Sequence, residues 1–217
     1  MVITGAEPIV VDTGAPIHRD QYLDDLFGIV DPQDVRWVFI SHDDSDHHGN
    51  LHEVMDACPN ATLVANWFLC ERLKAERLDV GDRTLHAIRP PLYDSPTTRG
   101  LFDPTTGVYW ASDCYATPVL AGAPTVADID PEFWIEGFTM FQTWNSPWVS
   151  MLDHDAFAES ARTIEQLGVT TIAGAHTPTI PSTHLDQAFT MLRAMPTTPA
   201  PPMPDQAALD QMLATLQ

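Results

Sequence analysis

The apolar run Val38-Phe39-Ile40 opens, after Ser41, into His42-Asp43-Asp44-Ser45-Asp46-His47-His48-Gly49-Asn50. Four potential metal ligands, His42, Asp44, Asp46 and His47, fall within six residues at the exit of what reads as a buried strand. A loop leaving such a strand can turn several side chains inward, and so many ionisable groups against an apolar segment are hard to explain as a solvated acidic surface. Two later strand-like runs also end on ligand-type residues: Trp110-Ala111-Ser112 on Asp113 and Ile172-Ala173-Gly174-Ala175 on His176. Open α/β sheets gather ligands at the carboxyl ends of their strands, so His42, Asp113 and His176 can converge although they are far apart in sequence. A metal site explains all three together.

The surrounding pattern is that of an α/β protein. Strands are expected at Ile9 to Val11, Val35 to Ile40, Thr62 to Ala65, Thr84 to Ile88, Val108 to Ala111 and Val169 to Ala173. Between them, Asp20 to Ile29, Leu51 to Ala57, Trp67 to Arg72, Ala156 to Leu167 and Leu185 to Met195 carry apolar residues at helical spacing. Asp130 to Leu152 is rich in aromatics and reads as a core-facing helix and turn, because large rings dominate interior burial. At 217 residues and 44% hydrophobic, the chain can bury one sizeable core, so residues 1–195 are expected to form one domain. Residues 196–217 read as a Pro-rich linker, with Pro196, Pro199, Pro201, Pro202 and Pro204, followed by a short helix near Asp205 to Leu216.

Composition narrows the function classes. Thirty acidic against ten basic residues give a formal charge of −20, which repels nucleic-acid phosphates and anionic lipid, so neither nucleic acid nor membrane is an expected partner. Cys58, Cys70 and Cys114 are odd in number and widely spaced, which argues against a disulfide framework or a zinc ribbon. No long apolar run and no secretory signal pattern is visible, and a cytoplasmic location is expected.

Taken together, the Asp12-Thr13-Gly14 turn, the His-x-Asp-x-Asp-His-x-Gly-Asn run, Ser112-Asp113 and Ala175-His176 occur in the order seen in the metallo-β-lactamase superfamily, which the chain resembles from residue 9 to about 195. The central motif is specific; Asp-Thr-Gly alone is weak. The resemblance implies a four-layer αβ/βα sandwich with two metals in the cleft between its sheets. In the hydrolase branch the second motif position is His and in the flavodiiron branch Glu; here it is Asp44, which looks like the carboxylate-bearing, iron-binding branch. Carried over residue by residue, His42 and Asp44 would hold one metal, Asp46, His47 and His176 the other, and Asp113 would bridge. The family's further His is missing from Pro90-Pro91-Leu92-Tyr93-Asp94-Ser95-Pro96. Either Asp94 or Tyr93 could fill that place; carboxylates are the commoner ligands of hard iron, which favours Asp94, and Tyr93 is also a candidate catalytic group.

With Asp44, Asp46, Asp113 and either Asp94 or a Tyr93 phenolate, four negative charges balance two divalent ions and weaken their Lewis acidity. That balance suits non-haem iron handling O2 or NO, or oxidising a small molecule, and the competing expectation is a zinc-dependent hydrolase of a thioester, lactone or phosphoester. Flavodiiron proteins join this domain to a flavodoxin module, for which 217 residues leave no room, so no flavin is expected in this chain and electrons would come from an external donor. The chain also starts close to the strand at Ile9, so a trimmed N-terminal sheet edge is expected, which a homodimer could cover.

Overall fold

The structure, a computed structural model, describes residues 1–65 and 77–215. The helix expected over Trp67 to Arg72 lies outside the described residues.

Strand β2 (Ile9–Val11) shows why two layers form on each side of it. All three side chains are fully buried, yet they alternate. Ile9 and Val11 join Phe39, Leu85, Leu101 and Trp110 in a core between two sheets, while Val10 joins Val38, Ile40, Leu26 and Val54 in a core beneath helices. Each such side chain contributes about 1.5–3 kcal/mol on burial, so a slip of one residue would exchange two well-packed faces. Strand β3 (Trp37–Ile40) repeats the alternation, with Val38 and Ile40 towards the helices and Phe39 towards the second sheet.

The first sheet has the order β1-β2-β3-β4, with β1 at Val2–Ile3 and β4 at Thr62–Ala65. Here β1 is antiparallel to β2, and β2, β3 and β4 run parallel. The second sheet has the order β10-β9-β8-β7-β6-β5. Its strands are β5 (Arg77–Asp79), β6 (Thr84–Ile88), β7 (Gly100–Asp103), β8 (Val108–Trp110), β9 (Thr171–Ala173) and β10 (Ile180–Pro181). All its neighbours are antiparallel except β8 and β9.

Helices α1 (Arg19–Ile29) and α3 (Leu51–Ala57) place Leu26 and Val54 on the outer face of the first sheet. On the second sheet, α4 (Pro131–Asn145), α5 (His154–Glu165) and α6 (Leu185–Ala194) bury Trp134, Phe138, Phe157, Ile164, Phe189 and Leu192. Helix α4 starts sharply because Asp130 accepts from the Glu132 and Phe133 amides, with Pro131 at the first position. The result is the expected αβ/βα sandwich.

Several expectations need correction. Strands β1, β5, β7 and β10 were not expected from the sequence; the edge strand β1 starts the chain before Ile9. The aromatic stretch is not uniformly core: Phe133 is exposed, and the Phe141 ring centroid lies 5.5 Å from that of His176. Met195–Thr197 form a 3-10 turn with Met195 and Pro196 buried, so extended chain begins at Thr198 rather than at Pro196. Beyond it, Trp144 Nε1 donates to the Pro201 carbonyl at 3.3 Å, and α7 (Gln206–Thr215) closes the described chain. Among the described residues, no helix is long and apolar enough to cross a membrane.

Candidate metal centre

Four strand ends meet at one edge of the layer between the sheets. Asp12 follows β2, Ser41 and His42 follow β3, Ser112 and Asp113 lie just beyond β8, and His176 lies beyond β9. A single turn of helix, α2 (Ser45–His48), carries Asp46 and His47 inward directly after Asp44. The loop between β6 and β7 adds Asp94. Three groups of possible ligands result: His42, Asp44 and Asp94; Asp46, His47 and His176; and His42, His47 and Asp113 between them.

In the first group, His42 Nε2 lies 3.5 Å from Asp44 Oδ2 and 3.4 Å from Asp94 Oδ2. In the second, His176 Nε2 lies 2.9 Å and His47 Nε2 3.8 Å from Asp46 Oδ2. Asp113 faces both: Oδ2 is 3.7 Å from His42 Nε2, while Oδ1 is 3.1 Å from His47 Nε2 and 3.9 Å from His176 Nε2. Asp94 offers one oxygen only, because Oδ1 accepts from the Ser95 amide at 2.7 Å and from the Thr98 hydroxyl at 3.0 Å. His42 Nε2 and Asp113 Oδ1 are buried and make no hydrogen bond. Unsatisfied buried polar atoms are costly, and both aim at the centre of the cluster, so the donor set fits a pair of cations there.

A second layer orients these groups. Asp12 Oδ2 accepts from His47 Nδ1 at 2.9 Å and from the Ser41 hydroxyl at 2.8 Å, while Oδ1 accepts from the Ser41 amide at 2.7 Å. Ser41 Oγ lies 3.1 Å and Ser112 Oγ 3.3 Å from His42 Nδ1, and Ser112 donates to Ser41. Both histidines are thereby held with Nε2 pointing inward. Thr13 donates its amide and hydroxyl to the His47 carbonyl, and Asn50 Nδ2 donates to the Thr13 carbonyl at 2.7 Å. Gly49 is required by space: a Cβ there would stand 2.3 Å from Pro16 Cδ and from the Ser45 carbonyl oxygen. Sequence reasoning missed the roles of Asp12, Ser41 and Ser112, although a carboxylate directly at a strand exit was a usable signal for Asp12.

The field is strongly negative around two buried imidazoles. Burial alone would lower the His47 pKa, but the Asp113 and Asp12 carboxylates on either side push it up to about 10. His42 is raised likewise, with the adjacent Asp94 carboxylate outweighing burial. The Asp94 carboxyl is held well below the usual range: burial opposes this, and contacts with His42 and Thr98 win. Asp44 is raised, first by burial and then by the negative charge of Asp94. Crowded carboxylates with no Lys or Arg among them, as here among the described residues, are the condition a cation relieves.

Other residues singled out by the sequence go elsewhere. The Tyr93 ring lies 5.0 Å from Trp148, centroid to centroid, and the Arg89 guanidinium carbon sits 5.2 Å from it. Its backbone carbonyl accepts from the Ser146 hydroxyl. His86 packs edge-on against Phe102 within the second sheet. Arg99 forms no ion pair among the described residues and donates instead to the Thr98 carbonyl at 2.8 Å.

Residues 1–110 match the sequence profile of the metallo-beta-lactamase superfamily, and the chain belongs to that superfamily. Among characterised sequences it is similar to a diflavin flavoprotein of Synechocystis, at 30% identity over 136 residues, covering 56% of this chain and 23% of that protein. The match thus spans about a quarter of that relative's length. Among solved structures, the flavodiiron protein of Giardia intestinalis superimposes with a TM-score of 0.76 at 17% identity, covering 90% of this chain and 50% of that one. A chemotaxis sensor, ODP, from T. denticola superimposes with a TM-score of 0.70 at 14% identity, covering 89% and 85%. At these identities the likeness establishes the fold.

Proposed function

We propose that this chain is a non-haem diiron protein that binds or reduces O2 or NO, or oxidises a small molecule, with electrons from an external donor. The observation that carries the reading is the ligand set: two imidazole-carboxylate groups share Asp113, and Asp44 stands where the hydrolase branch of this superfamily has a nitrogen. His42, Asp44 and Asp94 would hold one iron, Asp46, His47 and His176 the other, with Asp113 between them. A flavo-diiron protein of Clostridium acetobutylicum, 26% identical over 65 residues, and the flavodiiron structure from Giardia intestinalis support iron at such a centre. Bound iron supplies reversible one-electron chemistry with coordination positions open to a small diatomic ligand.

The chain's own contribution is charge and placement. Asp44, Asp46, Asp94 and Asp113 together neutralise two divalent ions, which stabilises a more oxidised metal and makes bound water a poorer nucleophile. Asp12 holds His47, and Ser41 and Ser112 hold His42, so that neither imidazole has to reorganise when the metal changes charge. Phe141 beside His176 supplies apolar surface against the polar cluster, and Tyr93, next in sequence to Asp94, places its ring near Trp148.

The test is metal analysis of protein purified without oxygen, with optical spectra before and after exposure to O2 and to NO. About two irons per chain and new absorption on exposure are expected. Two zinc ions, no spectral change and efficient hydrolysis of a thioester or lactone would replace this reading with the hydrolase one.

A further inference from the structure

Two guanidinium groups stand together beside the cleft with no carboxylate paired to them among the described residues. Arg89 follows β6 and Arg99 precedes β7, so the loop carrying Asp94 closes on itself and brings its two ends together. Both side chains donate to the Pro96 carbonyl, Arg89 Nη2 at 2.9 Å and Arg99 Nη1 at 3.5 Å. The Arg99 amide donates to the Ser41 carbonyl at 3.1 Å, which ties this end of the loop to the residue before His42.

Four other arginines are neutralised by carboxylates, while Arg36, which precedes β3, donates to the Gln33 and Val35 carbonyls. Arg19 pairs with Glu53, Arg83 with Asp82 and Asp103, Arg162 with Glu159, and Arg193 with Glu165. Neither Arg89 nor Arg99 has a carboxylate within ion-pair distance among the described residues, in a chain with three acidic residues for each basic one. Holding two like charges side by side is unfavourable in itself; burial and the Arg89 charge both lower the Arg99 pKa. An oxyanion shared by two planar forks would remove that repulsion and use donors that face only carbonyls. The occupant has to be small, because an acidic macromolecule meets the repulsion of the whole −20 surface, whereas a small anion feels mainly charges within about 8 Å.

We infer that Arg89 and Arg99 form an oxyanion-recognition subsite beside the metal cleft, taking the phosphate or carboxylate group of a small-molecule substrate, with Tyr93 and Trp148 flanking its remainder. Its part in substrate choice rests on the metal reading of the cleft; anion binding at the arginines does not.

Calorimetric titration with inorganic phosphate, and separately with malonate, tests this on protein as purified and on protein stripped with a chelator. Binding is expected in both forms, and the tighter of the two probes identifies the substrate's anionic group. The pair R89Q/R99Q should weaken it by about tenfold or more, R99K less because charge survives without the fork, and R36Q not at all. Arg36 is the control because it precedes β3, at the end of that strand away from the cluster. If the double variant melts early, exposed Arg89→Gln alone should weaken binding about threefold. Binding unchanged in R89Q/R99Q or R89Q, or no binding of either probe at millimolar concentration, would overturn the inference. Binding abolished by stripping places the anion on the metals, which overturns the subsite and leaves the metal reading intact. Arginine-dependent binding in a protein that holds no metal would do the reverse.

Discussion

The inner and outer halves of the cluster are built differently. His42, His47 and Asp113 side chains are 0%, 2% and 5% exposed, and each is fixed by a partner outside the cluster or by the strand that ends on it. Asp44, Asp46 and His176 side chains are 55%, 38% and 36% exposed, and the Asp44 carboxylate does not cap the helix it precedes. A buried floor with an exposed rim is what a centre needs if it must hold metals permanently yet admit a reactant. On the proposed reading the floor would decide whether metal binds at all, and the rim how exchangeable it is and what approaches it.

The largest test of that contrast is Asp113→Ala. Removing the shared carboxylate should empty both positions, whereas Asp44→Ala on the rim should mainly empty one. Metal content by mass spectrometry distinguishes them, and full stoichiometry in Asp113→Ala would refute the bridging role. Next in size, Asp94→Asn should weaken metal binding by at least about tenfold while Tyr93→Phe leaves it nearly intact. The reverse result would move the ligand to Tyr93, and a visible charge-transfer colour in the ferric protein should accompany it.

Asp12→Asn probes the floor without touching a metal. It keeps the shape but loses the charge that holds His47 Nδ1, and metal affinity should fall about 10-fold to 100-fold, more than for any exposed rim neighbour such as Asp43. The smallest effect is on pH dependence. In metal-free protein the His47 pKa is raised from 6.5 to about 10, so its contribution to stability is full below pH 6.5 and is lost as pH rises towards 10. The melting temperature of stripped protein should fall across that window. Metal-loaded protein should show no such fall from this residue, and loading near pH 8 should release a proton, seen as a buffer-dependent binding enthalpy. A flat profile in stripped protein would show that Asp12 and Asp113 do not keep His47 charged.

Much of the fold and the core of the cluster could be read from sequence, for identifiable reasons. Ile9–Val11, Thr62–Ala65 and Thr84–Ile88 coincide with their expected bounds because β-branched or apolar runs are closed by turn residues. Strand β7 escaped because Gly100-Leu101-Phe102-Asp103 is buried along its whole length and shows no alternation, and its ends look like turn residues. Gly100 is there for packing: a Cβ would meet the Trp110 carbonyl oxygen at 2.6 Å. Strands of two residues, β1 and β10, are too short to have a period. In the cluster, residues bunched in one motif were visible, and those at the ends of separate strands were inferable from topology. Asp12, Ser41 and Ser112 were not, because their role is defined by distances across the fold. Neighbouring Tyr93 and Asp94 could not be ranked firmly without knowing that the loop turns one towards Trp148 and the other towards His42.

Asp12, Ser112 and His176 share one further property: all three adopt left-handed backbone conformations, with φ of 56°, 53° and 56°. Each is a non-glycine residue at a strand exit, where the conformation costs on the order of 1 kcal/mol and glycine would relieve it. Selection for a sturdier chain and selection for a working centre therefore pull in opposite directions at these positions. In a lineage that lost its need for the centre, half-exposed His176 could drift towards glycine with little change in the melting curve, whereas at Asp12 the lost hydrogen bonds to Ser41 and His47 would offset the relief.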